Sequence, residues 1–83
     1  MKKHKVRVIV TLKEGVLDPQ GLAIKHVIDG MEKKGFEDVR QGKVFDLVIS
    51  AKSAPSALAA AKEVAGEVLS NPLLETFECI MEK

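Results

Sequence analysis

Cysteine is almost missing from this chain of 83 residues, which has only Cys79. A single thiol cannot form a disulfide within the chain, and it has no second thiol nearby with which to form a metal-binding pair. Small domains stapled by disulfides or zinc therefore do not fit this sequence, whereas a protein of the reducing cytoplasm does. We interpret Cys79, on the inward side of a predicted strand, as a small apolar residue rather than a nucleophile.

Aromatic residues and excess charge are equally scarce. The chain has three Phe, no Tyr, no Trp and a formal net charge of +1. Sheets that bind RNA stack bases on exposed aromatic rings, and proteins that bind nucleic acid carry basic patches. No apolar run approaches the roughly 20 residues of a membrane span, and the lysine-rich start is not followed by the apolar run of a signal peptide. We therefore expect a soluble, unprocessed protein whose partners include neither nucleic acid nor a membrane.

Motifs of catalysis and of nucleotide binding are also missing. The six glycines form neither a phosphate-binding loop nor a dinucleotide-binding turn. His4 and His26 have no second ligand or base at the spacing of a metal site or a catalytic dyad, and we interpret both as solvated surface residues. The sequence therefore predicts no catalytic residue and no metal site.

Apolar periodicity predicts six elements of secondary structure. Val6, Val8, Val10 and Leu12 alternate with polar or outward-facing residues, which is typical of a half-buried strand. Asp18-Pro19 opens a helix, because Asp can cap free amides and Pro suits the first helical position. The predicted elements are a strand over 5–13, a helix from 18 to Gly35, a short strand over 38–41, a strand over 44–51, a helix from Ser53 to Asn71-Pro72 and a strand over 75–82.

This order of elements is the split βαβ pattern. It predicts one α+β, ferredoxin-like βαββαβ domain over residues 1–83, with an antiparallel four-stranded sheet and two helices on one face. Gly42-Lys43 is predicted to form the hairpin turn between the second and third strands. The apolar arc of each helix is predicted to pack on the sheet. The arcs comprise Ala23, Ile24, Val27, Ile28 and Met31 in the first helix and Ala57, Leu58, Ala61, Val64, Ala65, Val68 and Leu69 in the second.

The opposite face of the predicted sheet mixes charged and apolar side chains. Its apolar residues are Ile9, Val44, Val48 and Ile80. One face of an antiparallel sheet can lie in water, but so small a domain has little core with which to offset wet apolar surface. We therefore predict that the protein is a dimer or larger and that these residues form the oligomer interface.

Three segments of the sequence resemble one known family. LKEGVLDPQG over residues 12–21 closely resembles the first strand and following turn of the PurS family, the small subunit of phosphoribosylformylglycinamidine synthase (FGAM synthase). VRQGKV over residues 39–44 is similar to the hairpin segment of that family, and LSNPLLE over residues 69–75 to its helix-ending Asn-Pro motif. The segments occur in family order, and their surroundings cover nearly the whole chain.

The resemblance implies a non-catalytic subunit of an enzyme complex for purine biosynthesis. Such a subunit associates with itself and joins a glutaminase subunit to a large synthetase subunit. The complex uses ATP, Mg and glutamine, whereas the resemblance implies that this subunit binds no cofactor and has no catalytic activity alone. It also implies a cytoplasmic protein.

The residues of the three segments divide into structural positions and candidate partner contacts. Most have local explanations as caps, turns or helix stops. Arg40 and Lys43 lie on either side of Gln41-Gly42 in the predicted hairpin, without an evident structural task. We therefore predict that they contact a partner subunit, as does Glu75. The motif residues interpreted as structural are Asp18, Pro19, Gln20, Gly21, Gly42, Asn71 and Pro72.

Two other classes of function stay open at this level. A ferredoxin-like regulatory module would bind a small metabolite at a subunit interface, and tight binding by the isolated protein in a thermal-shift screen would favour it. A small enzyme would need convergent titratable groups, which the sequence does not show. Turnover by the isolated chain that is lost on mutation would favour that class.

Overall fold

The computed structural model describes residues 1–82. Within them the chain forms three strands, two α-helices and one short π-helical segment. In chain order these are β1 (Lys2–Leu12), α1 (Pro19–Gly30), β2 (Gly42–Ala51), α2 (Ala54–Val64), the π-helical segment (Ala65–Leu69) and β3 (Glu75–Glu82).

β1 is the central strand of an antiparallel sheet with the order β2-β1-β3. Val8 lies opposite Phe45 of β2 and Cys79 of β3, so the inward-facing rows of the three strands are in register. The side chains of Val6, Val8 and Val10 are fully buried, as their alternation predicted. The core is therefore centred on β1.

α2 covers the inward side of this sheet and contacts all three strands. Its first turn is capped by Ser53, whose hydroxyl accepts a hydrogen bond from the Ser56 backbone N–H at 3.3 Å. Ala61 and Ala65 are fully buried in the valine core, where small residues let the helix lie close to the sheet. The helical run ends at Ser70, whose backbone N–H and hydroxyl both donate to the Ala65 carbonyl. This end, just before the Asn-Pro pair, agrees with the sequence prediction.

The predicted four-stranded sheet is wrong. The sheet has three strands, and the predicted short strand over 38–41 is irregular chain. Gly42 and Lys43, predicted as a hairpin turn, are instead the first two residues of β2 and pair with β1. The hairpin therefore does not exist, and the fold of residues 1–82 is α+β with two helices and a three-stranded sheet.

Side chains explain why residues 38–41 need no strand partner. The Asp38 carboxylate accepts the Val39 backbone N–H at 2.9 Å, and the Asp18 carboxylate accepts the Gln41 backbone N–H at 2.6 Å. Carboxylates thus take the place of a neighbouring strand for two backbone donors of this segment. A short strand with one apolar residue gains too little burial to compete with these bonds.

The prediction that both apolar arcs pack on the sheet is wrong for α1 and only partly right for α2. Ile24, Val27 and Met31 of the first arc are 42%, 64% and 59% exposed, and Val64 and Val68 of the second arc are 40% and 72% exposed. α1 makes no extensive contact with the sheet or with α2. It also ends at Gly30 rather than at the predicted Gly35. The chain is accordingly elongated and flat, measuring 53 × 27 × 14 Å.

Candidate functional site

The three family-like segments, which are distant in sequence, meet at one end of the sheet. They line a cleft of about 340 Å³ formed by residues 12 and 16–20 near the start of α1, residues 41–43 at the start of β2 and residues 74–75 at the start of β3. We refer to it as the motif cleft. The residues that suggested the family therefore share a location as well as an order.

Asp18 is the buried anion of the motif cleft, with 6% of its surface exposed. Its Oδ1 accepts the Gly21 backbone N–H at 2.9 Å, which confirms the predicted helix cap. Its Oδ2 accepts the Gln41 backbone N–H at 2.6 Å, a bond across 23 residues that local sequence reasoning missed. The bond from Gln41, followed by that from Gly21, lowers the pKa of the Asp18 carboxyl below its usual value.

Two glycines of the family-like segments are required by close backbone approaches. A Cβ on Gly21 would collide with the Val39 carbonyl oxygen. A Cβ on Gly42 would lie 2.7 Å from the Val10 carbonyl oxygen, which is also too close. The turn predicted at Gly42 is wrong, because Gly42 lies in β2 and permits tight strand pairing there.

Arg40 has a structural contact that the sequence did not reveal. Its Nη1 donates to the Val16 carbonyl at 2.9 Å and its Nη2 donates to the Lys13 carbonyl at 3.3 Å. The guanidinium therefore holds the loop between β1 and α1. A contact between Arg40 and a partner subunit stays a prediction.

Lys43 and Glu75 form an ion pair across the motif cleft. The Lys43 Nζ lies 3.6 Å from a Glu75 carboxylate oxygen, and the two side chains are 60% and 14% exposed. The other Glu75 oxygen accepts the Asn71 backbone N–H at 2.7 Å, and the Asn71 side-chain oxygen accepts the Leu73 N–H at 3.0 Å. Asn71 therefore shapes the turn before β3, and Lys43 is far more accessible than Glu75.

The predicted outer face of the sheet exists. Ile9 lies directly opposite Val44, and Val44, Val48 and Ile80 are 58%, 67% and 40% exposed. The register places all four side chains on the side away from α2. Their use as an oligomer interface stays a prediction.

Ion pairs lie beside these apolar residues on the outer face. The Arg7 Nε is 2.9 Å from an Asp46 oxygen and 3.1 Å from a Glu82 oxygen. The hydrogen bond from Arg7 lowers the pKa of the Asp46 carboxyl. The face is thus a mixed surface, with an internally compensated charge cluster beside its apolar side chains.

His4 differs from its sequence interpretation, and Cys79 agrees with its own. His4 pairs with Ile49 in the sheet, and its Nε2 is out of contact with solvent and has no hydrogen-bond partner among residues 1–82, so it is not a solvated surface group. Cys79 is half-buried, and burial raises the pKa of its thiol.

Within residues 1–82 no cluster of three or more His, Cys, Asp or Glu side chains could hold a metal ion. None of the described helices has the length and apolar character needed to cross a membrane.

Comparison with known sequences identifies one family. The family model described as PurS, phosphoribosylformylglycinamidine (FGAM) synthase, matches residues 5–83. The PurS subunit of FGAM synthase from Bacillus subtilis is 39% identical over 80 residues, which cover 96% of this chain and 94% of that protein. The PurS subunit from Methanocaldococcus jannaschii is 26% identical over 80 residues, which cover 96% of each chain.

Solved structures of the same family have the same fold. A PurS chain from B. subtilis superposes with a TM-score of 0.82 at 38% identity, covering 96% of this chain and 99% of that one. A chain in the structure of PurLQS from Thermotoga maritima superposes with a TM-score of 0.90 at 27% identity, covering 99% of this chain and 100% of that one. The sequence match, the shared fold and the convergence of the three segments in one cleft have a single explanation: this chain belongs to the PurS family of FGAM synthase subunits.

Proposed function

We propose that this chain is the small subunit of an FGAM synthase built from separate polypeptides, and that it acts in assembly rather than in catalysis. In this role it joins a glutaminase subunit to a large synthetase subunit in the cytoplasm. The observation that carries the proposal is the family match over residues 5–83. The likeness over nearly all of both chains to a component of the T. maritima PurLQS structure supports the assembly role.

The distribution of apolar residues supports a role inside a larger complex. Residues 1–82 contain seven buried apolar residues, four of them alanines, and fifteen large apolar residues that are exposed. A free-standing monomer rarely presents so much apolar surface relative to its core. The chain therefore has more surface to offer other subunits than interior of its own.

Self-association through the outer face is part of this proposal. A second copy would cover Ile9, Val44, Val48 and Ile80, while the cluster around Arg7 is already charge-compensated within the chain. Ile9→Lys should then lower the mass measured by light scattering while circular dichroism stays unchanged. Val27→Lys, at an exposed apolar position on α1 away from the sheet, is the matched control. A strictly monomeric wild-type protein would contradict this part of the proposal.

The motif cleft, through Lys43 and Glu75, and the neighbouring Arg40 are proposed as contacts with a larger subunit. ATP, Mg and glutamine would be bound by the larger subunits, and the isolated chain would show neither glutaminase nor ATPase activity. A metabolite-binding role is less well supported, because Asp18, Gln20, Gln41 and Glu75, four polar residues of the cleft, already form hydrogen bonds within the chain.

Reconstitution tests the proposed function. The two larger subunits are combined with and without this chain, and FGAM formation is measured with glutamine and, separately, with ammonia. We expect glutamine-dependent synthesis to require this chain, while ammonia-dependent synthesis by the large subunit depends on it much less. Equal glutamine-dependent rates with and without the chain would refute an assembly role.

A further inference from the structure

α1 has a defined orientation although it does not pack on the rest of the chain. Its apolar side is exposed and it makes no extensive contact with the sheet. An isolated helix of 12 residues is only marginally stable in water. A helix connected to a sheet by two flexible loops would also point in many directions. Other contacts must therefore define its direction.

Two reciprocal links connect the chain before α1 with the chain before β2. Asp18, at the start of α1, accepts a hydrogen bond from the backbone of Gln41. Arg40, the neighbour of Gln41, donates in the other direction to the carbonyls of Val16 and Lys13. Each link has one ionised partner, and such hydrogen bonds are stronger than neutral ones.

Further contacts around these links restrict the rotation of α1. The Gln41 side-chain amide donates to the Gln20 side-chain oxygen at 2.6 Å. Gly21 lies so close to the Val39 carbonyl that no Cβ fits between them. One link would leave α1 free to rotate about it, whereas several links along different directions fix an orientation.

We infer that Asp18 and Arg40 form a latch that fixes the direction in which α1 leaves the sheet. They are positioning residues, since they act through the orientation of α1 and need not touch another subunit themselves. The inference rests on the proposed function only in one respect, namely that the larger subunits bind a helix whose orientation is already fixed. A preoriented element loses less conformational freedom on binding.

The latch can be tested by measuring the distance between α1 and α2. Spin labels are attached at His26→Cys on α1 and Ala60→Cys on α2, both exposed positions, in a Cys79→Ser background. Labelled chains are diluted into an excess of unlabelled protein, so that only distances within one chain are recorded by double electron–electron resonance. The intact latch predicts a single narrow distance distribution.

Three variants separate the latch from local helix stability and from charge. Asp18→Asn keeps an acceptor for the helix cap but cannot accept both backbone N–H groups through carboxylate oxygens. Arg40→Ala removes the second link, and Arg40→Lys keeps the charge without the fork that reaches two carbonyls. Asp29→Asn, which breaks the 3.1 Å ion pair with Lys25 on the same helix, is the matched control.

We expect Asp18→Asn, Arg40→Ala and Arg40→Lys each to broaden the distribution roughly twofold, because the released segment behaves as a flexible linker. The circular dichroism of the sheet should be unchanged, and Asp29→Asn should leave the width as in the wild type. An unchanged width in both Asp18→Asn and Arg40→Ala would overturn the latch, as would full rescue by Arg40→Lys. The measurement needs no larger subunit, so failure of the proposed function would appear only in the reconstitution.

Discussion

The two halves of this molecule are ordered by different forces. The body, consisting of β1, β2, α2 and β3, is held by apolar packing, with Val6, Val8 and Val10 fully buried against α2. The arm, residues 13–41, has one buried carboxylate and few buried apolar groups. Its long-range hydrogen bonds are mainly made by side chains of the arm itself, together with one backbone bond from the Lys13 N–H to the Leu74 carbonyl beside β3. A small domain can therefore reserve packing for its centre and use directional hydrogen bonds to orient an exposed helix.

The largest expected difference between the halves comes from removing apolar volume. Val8→Ala in the body should lower the free energy of unfolding by about 2 kcal/mol, through lost burial and the cavity left behind. Val27→Ala in the arm removes the same atoms from a 64% exposed position. This variant should change the free energy of unfolding by less than about 0.5 kcal/mol. Urea denaturation of both variants measures this. Equal losses would mean that α1 is packed in a core, either its own or that of a second copy.

A second effect separates two glycines within the arm. Gly21→Ala places a methyl group against the Val39 carbonyl, and should destabilise the protein by about 1–3 kcal/mol if the arm and the body unfold together. Gly30→Ala meets no atom within 4 Å, and should be neutral or stabilising by up to about 1 kcal/mol, because alanine favours a helix. Thermal unfolding of the two variants checks the order. A tolerated Gly21→Ala would show that the approach to Val39 is not tight.

Charge reversal at the motif cleft and at the neighbouring Arg40 should affect assembly more than folding. Lys43→Glu should change the free energy of unfolding by under about 1 kcal/mol, since its side chain is exposed. Adding Arg40→Glu also removes the hydrogen bonds to the Val16 and Lys13 carbonyls. Affinity for the larger subunits should fall much further, and the wild-type affinity should weaken with salt. Calorimetric titration beside a denaturation curve measures both. If Lys43→Glu alone leaves affinity unchanged and Arg40→Glu alone reduces it, the effect arises from Arg40 and not from Lys43.

Lowering the pH should protonate Asp18 and weaken the hydrogen bonds that its carboxylate accepts within the arm. The pKa of this carboxyl is lowered in the folded chain, so its contribution is fully present above the ordinary carboxyl pKa and is lost as the pH falls through the lowered value. The backbone amide resonance of Gln41, followed by NMR, should titrate with Asp18. Asp18→Asn should abolish that titration. Asp46→Asn, which removes a second carboxyl of lowered pKa on the outer face, should leave it intact, and a titration that disappears in Asp46→Asn instead would contradict the assignment.

The body was largely predictable from the sequence, because its signals are local. Alternation identified the buried row of β1, and the same rule placed Ile9 and Val44 together on the outer face. The cap of α2 at Ser53 and the end of the π-helical segment before Asn71 follow from capping and proline chemistry. Burial alternates with a period of two residues along a strand, so this signal is contained in the sequence itself.

The arm was not predictable in the same way, because its decisive contacts are distant in sequence. Asp18 before a proline is fully explained as a cap, and nothing local reveals its bond to Gln41. Arg40 looks like a free cation until its carbonyl partners are known. The apolar arc of α1 has the same periodicity whether it faces its own sheet or the outside. The strand over residues 38–41 was wrongly predicted for the same reason. Side-chain carboxylates accept backbone N–H groups of this segment, in place of the neighbouring strand that we expected.

Hydrogen exchange resolved by residue tests the division into body and arm most directly. Wild type, Asp18→Asn and Val8→Ala are compared at the same protein concentration. Our account predicts that Asp18→Asn speeds exchange of the α1 amides while β1 stays protected, and that Val8→Ala speeds exchange in β1. A uniform increase over both regions in Asp18→Asn, or no change in α1, would contradict it.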